Sequence, residues 1–528
     1  MSSSASAIDP AGAYALPEQR FDARRVIAFV GMVFGMFMSI LDIQIVSASL
    51  GEIQAGLSAG ADEVTWVQTS YLIAEVIMIP LSGYLSRAFS TRIVFAFCAG
   101  GFTLTSFMCA QATSIEQMIV FRALQGFIGG GMIPTVFASA FTIFPPDKRI
   151  IIQPVIGLVA TLAPTIGPTV GGYLTDVFSW HWLFLVNVLP GIAVTLVSWF
   201  MIDFDEPNLK LLDGFDWSGL ISMAVFLGGL EYVLEEGPSK NWFEEDAVRY
   251  AAFASLLGAG IFFWRSFVSK NPIVDLRVRN GSFWAGCIFS FVLGIGLYGL
   301  TYIYPIYLAR VRGDTALQIG ATLFVTGLTQ MLSAPLIGRV MMRTDARILL
   351  SIGFANFAIS CWLMTYVTKD WDFWELMIPQ IFRGSSLMLC MIPINSVAMG
   401  TLEPHEMKNA SGLFNLTRNL GGAFGLAVIN TFINHRWDLH LARLHERVTW
   451  SSERAQHWMS VLSGAYSSLG SDANLAAMKK LASFVRREAL VMALADVFLL
   501  IAFIFAIMLL AVPFVRRPPN LGLDADGH

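Results

Sequence analysis

Fourteen separate runs of about 20 mostly apolar residues punctuate this chain, and each matches the length an α-helix needs to cross the hydrocarbon core of a bilayer. They fall near 26–50, 64–84, 92–112, 117–139, 150–174, 182–202, 217–235, 247–268, 284–308, 317–340, 347–367, 372–398, 409–433 and 490–515. A backbone group left unpaired in lipid costs several kcal/mol, and a helix pairs its own, so these runs predict an all-α membrane protein with fourteen transmembrane helices. The composition agrees. With 55% of the 528 residues hydrophobic and only 14% charged, a chain folded in water would lack polar surface.

Basic residues alternate with the runs. If the N-terminus is cytoplasmic, the inside segments hold Arg20, Arg24 and Arg25, then Arg87 and Arg92, Lys148 and Arg149, Lys210, Lys270, Arg277 and Arg279, Arg339, Arg343 and Arg347, Lys408, and Arg516 and Arg517. The short outside loops hold few: Lys240, Arg310, Arg312 and Lys369. This asymmetry follows the positive-inside rule of a multi-pass membrane protein, and an even number of spans puts both termini in the cytoplasm. The polar start, with no cleavage site after it, reads as a cytoplasmic tail and not a signal peptide. A net charge of −4 without a basic tract argues against a nucleic-acid partner. Cys98, Cys109, Cys287, Cys361 and Cys390 lie in apolar stretches without C-x-x-C spacing and read as core residues.

Two segments share punctuation: Pro80-Leu81-x-Gly83 before Arg92, and Pro335-Leu336-x-Gly338 before Arg347. A second echo pairs Phe121-Arg122 and Met132-Ile133-Pro134 with Phe382-Arg383 and Met391-Ile392-Pro393. Internal similarity of this kind marks a transporter of two homologous halves with its substrate site between them. Matching span 2 to span 10 and span 4 to span 12 makes the seventh and eighth spans an inserted hairpin. The expected organisation is a tail at 1–25, a six-helix half at 26–202, the hairpin and its loops at 203–283, a second six-helix half at 284–515 with an outside segment at 434–489, and a tail at 516–528.

An ionisable group within a span costs about 2.5–3.5 kcal/mol to insert even on a lenient scale, so each needs a reason. Asp42, Glu75 and Arg122 stand out. Counted at 1.5 Å per residue from the outer helix ends, they lie roughly 12, 16 and 8 Å deep, close to one layer. Desolvation raises a carboxylate's proton affinity and a nearby guanidinium lowers it, so a moving helix can make such a group take or release a proton. A static ion pair of Asp42 with Arg122 is the alternative, whereas Glu75 has no obvious mate. Arg383, Arg418, Glu231 and Asp496 read as structural glue or helix-end charges.

The fifth run combines Pro164, Gly167, Pro168, Gly171 and Gly172, and should serve as a pivot or a tight helix seam. Flexible and aromatic side chains that re-pack around varied apolar shapes suit a broad substrate pocket, and Met38, Met78, Met132, Phe137, Tyr298 and Tyr302, with Gln44, are the residues placed there. Gly83, Arg87 and Arg92 mark the cytoplasmic loop after the second span. Gly294-x-Gly296-x-x-Gly299 lies inside an apolar run with no strand before it, and no H-E-x-x-H, Walker A or G-x-S-x-G occurs. No enzyme activity, metal site or cofactor is expected.

This constellation resembles the fourteen-span drug:proton antiporters of the major facilitator superfamily, and most of all their EmrB-like branch, over nearly the whole chain. Leu41-Asp42-Ile43-Gln44-Ile45-Val46 is similar to the family's first-span motif, Arg122-Ala123-Leu124-Gln125-Gly126 to its fourth-span motif, Gly157 through Gly172 to its fifth-span antiporter motif, and Trp180 through Asn187 to the start of its sixth span. The resemblance implies a major facilitator fold, transport tied to Asp42, proton transfer tied to Arg122, and proton-coupled export of hydrophobic drug-like compounds. It also implies a periplasmic adaptor of the membrane-fusion type and an outer-membrane channel as partners, beside protons and membrane lipid. Departures are Gln44 for the usual Thr, Gly51 for Pro, Arg87 where Asp is frequent and Ser90 where Gly is frequent. A facilitator of one metabolite or siderophore is the competing function. In 434–489, Trp437, Leu441, Leu444 and Val448 follow a helical rhythm whose apolar face would cover either the adaptor or the transporter's own outer surface.

Overall fold

The computed structural model describes residues 23–514, except 145, 279, 342, 401 and 403–405. The tails expected at 1–25 and 516–528 fall outside the described residues save for 23–25. All regular structure among the described residues is helical. Its long helices are α1 (Ala23–Ala48), α2 (Ala61–Phe89), α3 (Thr91–Ala110), α4 (Ile115–Ile143), α5 (Pro146–Val177), α6 (Trp182–Met201), α7 (Trp217–Glu236), α8 (Asp246–Val268), α9 (Gly281–Arg312), α10 (Ala316–Met341), α11 (Ala346–Leu363), α12 (Phe373–Met399), α13 (Met407–Arg447) and α14 (Ala473–Ala511).

Thirteen helices among the described residues are long and apolar enough to cross a membrane, and α13 is the long helix that falls short on apolarity. The reason is its neighbours. It packs against α9, α14 and α2, and buries Asn409, Ser411, Asn415 and Arg418 among them, so its polar face meets protein instead of lipid. It completes the fourteen-helix bundle from within.

Glycines set how closely these helices approach. In α5, which runs unbroken through Pro154, Pro164 and Pro168, a Cβ on Gly167 would lie 2.3 Å from Cβ of Gln44, and one on Gly171 would lie 2.7 Å from the Ile45 carbonyl oxygen. The antiporter-like segment is therefore a seam with α1. Its other side meets the second half, where a Cβ on Gly320 of α10 would lie 2.0 Å from Thr169 Cγ2. Of the two helices expected to form an inserted hairpin, α8 packs mainly on α7 and is largely exposed, whereas α7 also packs on α2 and α13. Trp66 of α2 stacks on Tyr232 with centroids 5.6 Å apart, and Leu234 clusters with Ala423 and Ala427 of α13.

Segment 434–489 is mostly helix instead of a separate loop. α13 runs on to Arg447, α14 begins at Ala473, and a short helix, Glu453–Ala465, lies between them. Trp437 Nε1 donates to the Arg486 carbonyl at 3.2 Å, and Asp496 of α14 accepts from Arg436 Nε at 2.5 Å and contacts His440 Nε2 at 2.7 Å. At Trp437 the face expected to be amphipathic packs on the chain's own α14, while Val448 stays exposed. Asp496 is a tie between two helices.

Candidate functional site

Asp42 and Arg122 meet at the centre of the first half, both fully buried, with Arg122 Nη1 2.6 Å from Asp42 Oδ2. Asp42 also accepts from Asn187 Nδ2 at 2.8 Å and Gln125 Nε2 at 3.4 Å. Arg122 donates through Nε to the Val67 carbonyl at 3.2 Å and through Nη1 to Gln125 Oε1 at 2.7 Å, and its guanidinium lies 4.1 Å from the Tyr71 ring centroid. Two charges removed from solvent are tolerable only with this density of partners. The cluster joins α1, α2, α4 and α6 and gives the first half a polar spine.

Glu75 makes no hydrogen bond or ion pair to that spine, although it lies within electrostatic reach of Arg122 and Asp42. It is 3% exposed, its Oε1 has no hydrogen-bond partner, and it lines a cavity of about 470 Å³. That volume suits a drug-sized molecule. The walls come from the C-terminal parts of α1, α7 and α9, the N-terminal part of α2, Pro168 of α5 and the middle of α13. All of these face the end of the bundle opposite the basic loops. The walls are mixed: Leu72, Leu234, Leu426, Tyr298 and Tyr302 supply apolar surface, while Gln44, Gln68, Asn419 and Asn430 supply polar groups. Glu231 and Glu235 of α7 line it too, as does the exposed Arg310.

The other end is shut. Lys408, near the start of α13, donates to the Ser86 carbonyl at 3.0 Å and pairs with Asp205, whose Oδ2 also accepts from the Thr91 backbone N–H at 2.8 Å and Thr91 Oγ1 at 2.7 Å. Ser411 Oγ donates to the Pro134 carbonyl at 2.6 Å, and the Phe137 and Phe414 rings lie 6.3 Å apart. A Cβ on Gly83 would sit 2.5 Å from the Lys408 carbonyl oxygen, so the halves touch backbone to backbone there. The carboxylate that Lys408 pairs with, Asp205, comes from the segment after α6.

The sequence-derived sites are thus divided. Gln44, Glu75, Tyr298, Tyr302 and Pro168 border the cavity, whereas Met38, Met78, Met132 and Phe137 do not. Those four are buried in packing, Phe137 beneath the Arg418 guanidinium at 5.1 Å from its ring centroid. Asp42 and Arg122 come together without bonding Glu75. Pro164 is buried and Gly172 half-buried in α5, Gly83 is at the closed end, Arg87 lies 5.6 Å from the Tyr84 ring centroid, and Arg92 is exposed. Sequence reasoning missed Glu235, Lys408 and Asp205 as site residues. The four-residue spacing of Glu231 and Glu235, one helical turn apart, was the available signal for the first.

Comparison with known proteins agrees with this architecture. The model of the Major Facilitator Superfamily matches residues 32–426. Over 502 residues the chain is 40% identical to the colistin resistance protein EmrB of Acinetobacter baumannii, covering 95% of this chain and 98% of that one. It is 28% identical over 507 residues to the multidrug export protein EmrB of Escherichia coli, covering 96% and 98%. The human organic anion transporter MFSD10 shares the fold, with a TM-score of 0.57 and 13% identity over 92% of this chain and 100% of that one. The chain therefore belongs to the major facilitator superfamily and to its EmrB-like exporters, as a multi-pass transporter of the bacterial inner membrane.

Proposed function

We propose that the chain exports lipophilic drug-like compounds from the cytoplasm in exchange for protons, by alternating access. The observation that carries this reading is Glu75, an unpartnered, buried carboxylate in the wall of a drug-sized cavity sealed at its basic end. With the basic loops in the cytoplasm, this is the outward-facing arrangement. A carboxylate without a bonded counter-charge is free to hold a proton in one state and release it in the other, and only such a difference ties proton flow to substrate flow. The names of the relatives, multidrug export and colistin resistance, point to the same class of cargo. The Asp42–Arg122 spine keeps the first half rigid as it rocks on the α5 seam.

The exposed hairpin between α13 and α14, with Trp450 73% and Trp458 51% exposed, is assigned to docking a periplasmic adaptor that leads to an outer-membrane channel. Export across the whole envelope then depends on the hairpin, while transport across the inner membrane does not.

Uptake of a lipophilic fluorescent compound into everted membrane vesicles under an imposed pH gradient tests the main reading. Vesicles carrying the wild-type protein accumulate the compound as the gradient is applied, and those carrying Glu75→Gln do not. Accumulation that ignores the gradient in wild-type vesicles would refute proton coupling.

A further inference from the structure

A fourteen-helix transporter has two helices more than two six-helix halves require, and here the first of them, α7, is wedged between α2 and α13, where it forms one wall of the cavity. Three contacts within two turns hold it there: Gly228 against Ile73, Tyr232 stacked on Trp66, and Leu234 against Ala423 and Ala427. The loop that follows is fixed as well, with Trp242 Nε1 donating to Thr431 Oγ1 at 3.0 Å. A helix recruited only to fill space would present apolar side chains inward. This one presents two carboxylates.

Glu236, the neighbouring acid, shows what a structural carboxylate on this helix looks like: it accepts from Thr69 Oγ1 at 3.2 Å and pairs with Lys240 at 3.4 Å. Glu231 and Glu235 have no hydrogen bond or ion pair among the described residues, and both line the cavity. Glu231 is 5% exposed, within electrostatic reach of Glu235 and of Glu75 across the space. The cavity's charged lining is thus three carboxylates against one guanidinium, the exposed Arg310. An acid buried as Glu231 is and left without a partner carries an energetic penalty that a cation entering the cavity would offset, and the half-buried Glu235 one turn further on adds to the negative field there. The aromatic faces of Tyr298 and Tyr302 beside them favour a cation with an apolar envelope.

We propose that Glu231 and Glu235 form a cation-binding subsite for lipophilic cations, supplied by the inserted helix and separate from the proton-carrying Glu75. The inference rests on the transport reading above for its biological sense, but the binding it asserts is testable without transport. Helix α7 then acts as a selectivity element: it selects cationic cargo, while the two halves and Glu75 supply the pump.

The test uses the full-length protein purified in lipid nanodiscs, with tetraphenylphosphonium as the cationic probe and N-phenylnaphthylamine as the uncharged one. The readout is the ratio of their dissociation constants. Glu231→Gln with Glu235→Gln should shift that ratio against the cation by about tenfold or more, the scale of losing a charge-assisted contact in a desolvated site. Restoring acids as Glu231→Asp with Glu235→Asp should recover most of the shift, and Glu236→Gln, on the same helix but outside the cavity lining, should leave the ratio unchanged. An unchanged ratio in the double Gln variant would overturn the proposal, as would equal loss of both probes, which would mean a damaged cavity. In everted vesicles, uptake of the uncharged probe by the double Gln variant should still respond to the pH gradient. Loss of that response with cation affinity intact would make the pair a proton site and sink the subsite. Absence of the response in the wild-type protein would instead sink the coupling reading and leave the binding result standing.

Discussion

At the scale of single residues, the two acids of the first half differ in what surrounds them, and that difference predicts different failures. Asp42 is the counter-charge of a fully buried guanidinium, so Asp42→Asn strands Arg122 in the core; breaking a buried pair costs about 3–5 kcal/mol. Glu75→Gln removes a charge that nothing bonds and replaces it with an amide of the same shape, so the fold should keep its stability. Both variants should lose pH-gradient-driven uptake, but thermal unfolding of the detergent-purified proteins should separate them: a lowered midpoint for Asp42→Asn and one near wild type for Glu75→Gln. Equal midpoints would show that the spine is not load-carrying. The spine was legible in the sequence because two opposite charges inside apolar runs must answer each other. Glu235 was not, because an acid at the last residue of an apolar run reads as an interfacial charge. Met38, Met78, Met132 and Phe137 lie away from this cavity for a related reason: composition gives the residue types that suit a pocket, but not which helical face turns toward it.

At the scale of elements, the closed end depends on backbone approach. Gly83→Val would drive a branched side chain into the Lys408 carbonyl, so the α2–α13 contact could not form and the cytoplasmic end should stand open. A cysteine introduced at the fully buried Ser411 reports on this: unreactive toward a membrane-permeant thiol reagent in the wild-type background, reactive in Gly83→Val. Continued silence in the variant would show that the contact is not the gate. Between α2 and α3 the chain turns through Ser90 at φ 81 and ψ 153, a region almost reserved for glycine, at the position where the family often has one. Ser90→Gly should therefore stabilise the protein by about 1–3 kcal/mol, seen as a raised unfolding midpoint. No gain would mean that the serine relaxes at no cost. The sequence pointed to both features as punctuation, Gly83 in a repeated motif and Ser90 as a departure from it. It hid Asp205, since a carboxylate in a polar connector gives no sign that Lys408, two hundred residues away, will reach it.

At the scale of the whole molecule, the span count followed from length and hydropathy for thirteen helices, while α13 needed its neighbours to explain its polarity. The same helix upset the expected boundary of 434–489, because a span that continues as helix beyond the bilayer leaves no change of period to read. Sidedness can be checked with one label. All five native cysteines are buried, so Ser460→Cys in the short apical helix should react with a membrane-impermeant thiol reagent on intact spheroplasts. Reaction only after the inner face is exposed would invert the topology. The central claim is that substrate and proton compete for a cavity whose titrating group is Glu75, and the most direct measurement is proton release on substrate binding. Purified protein in weakly buffered solution with a pH indicator should release protons when it binds a lipophilic substrate that everted vesicles transport, and Glu75→Gln should bind the same substrate with no release. Equal release from the variant and the wild-type protein would contradict the account and move the proton path away from Glu75.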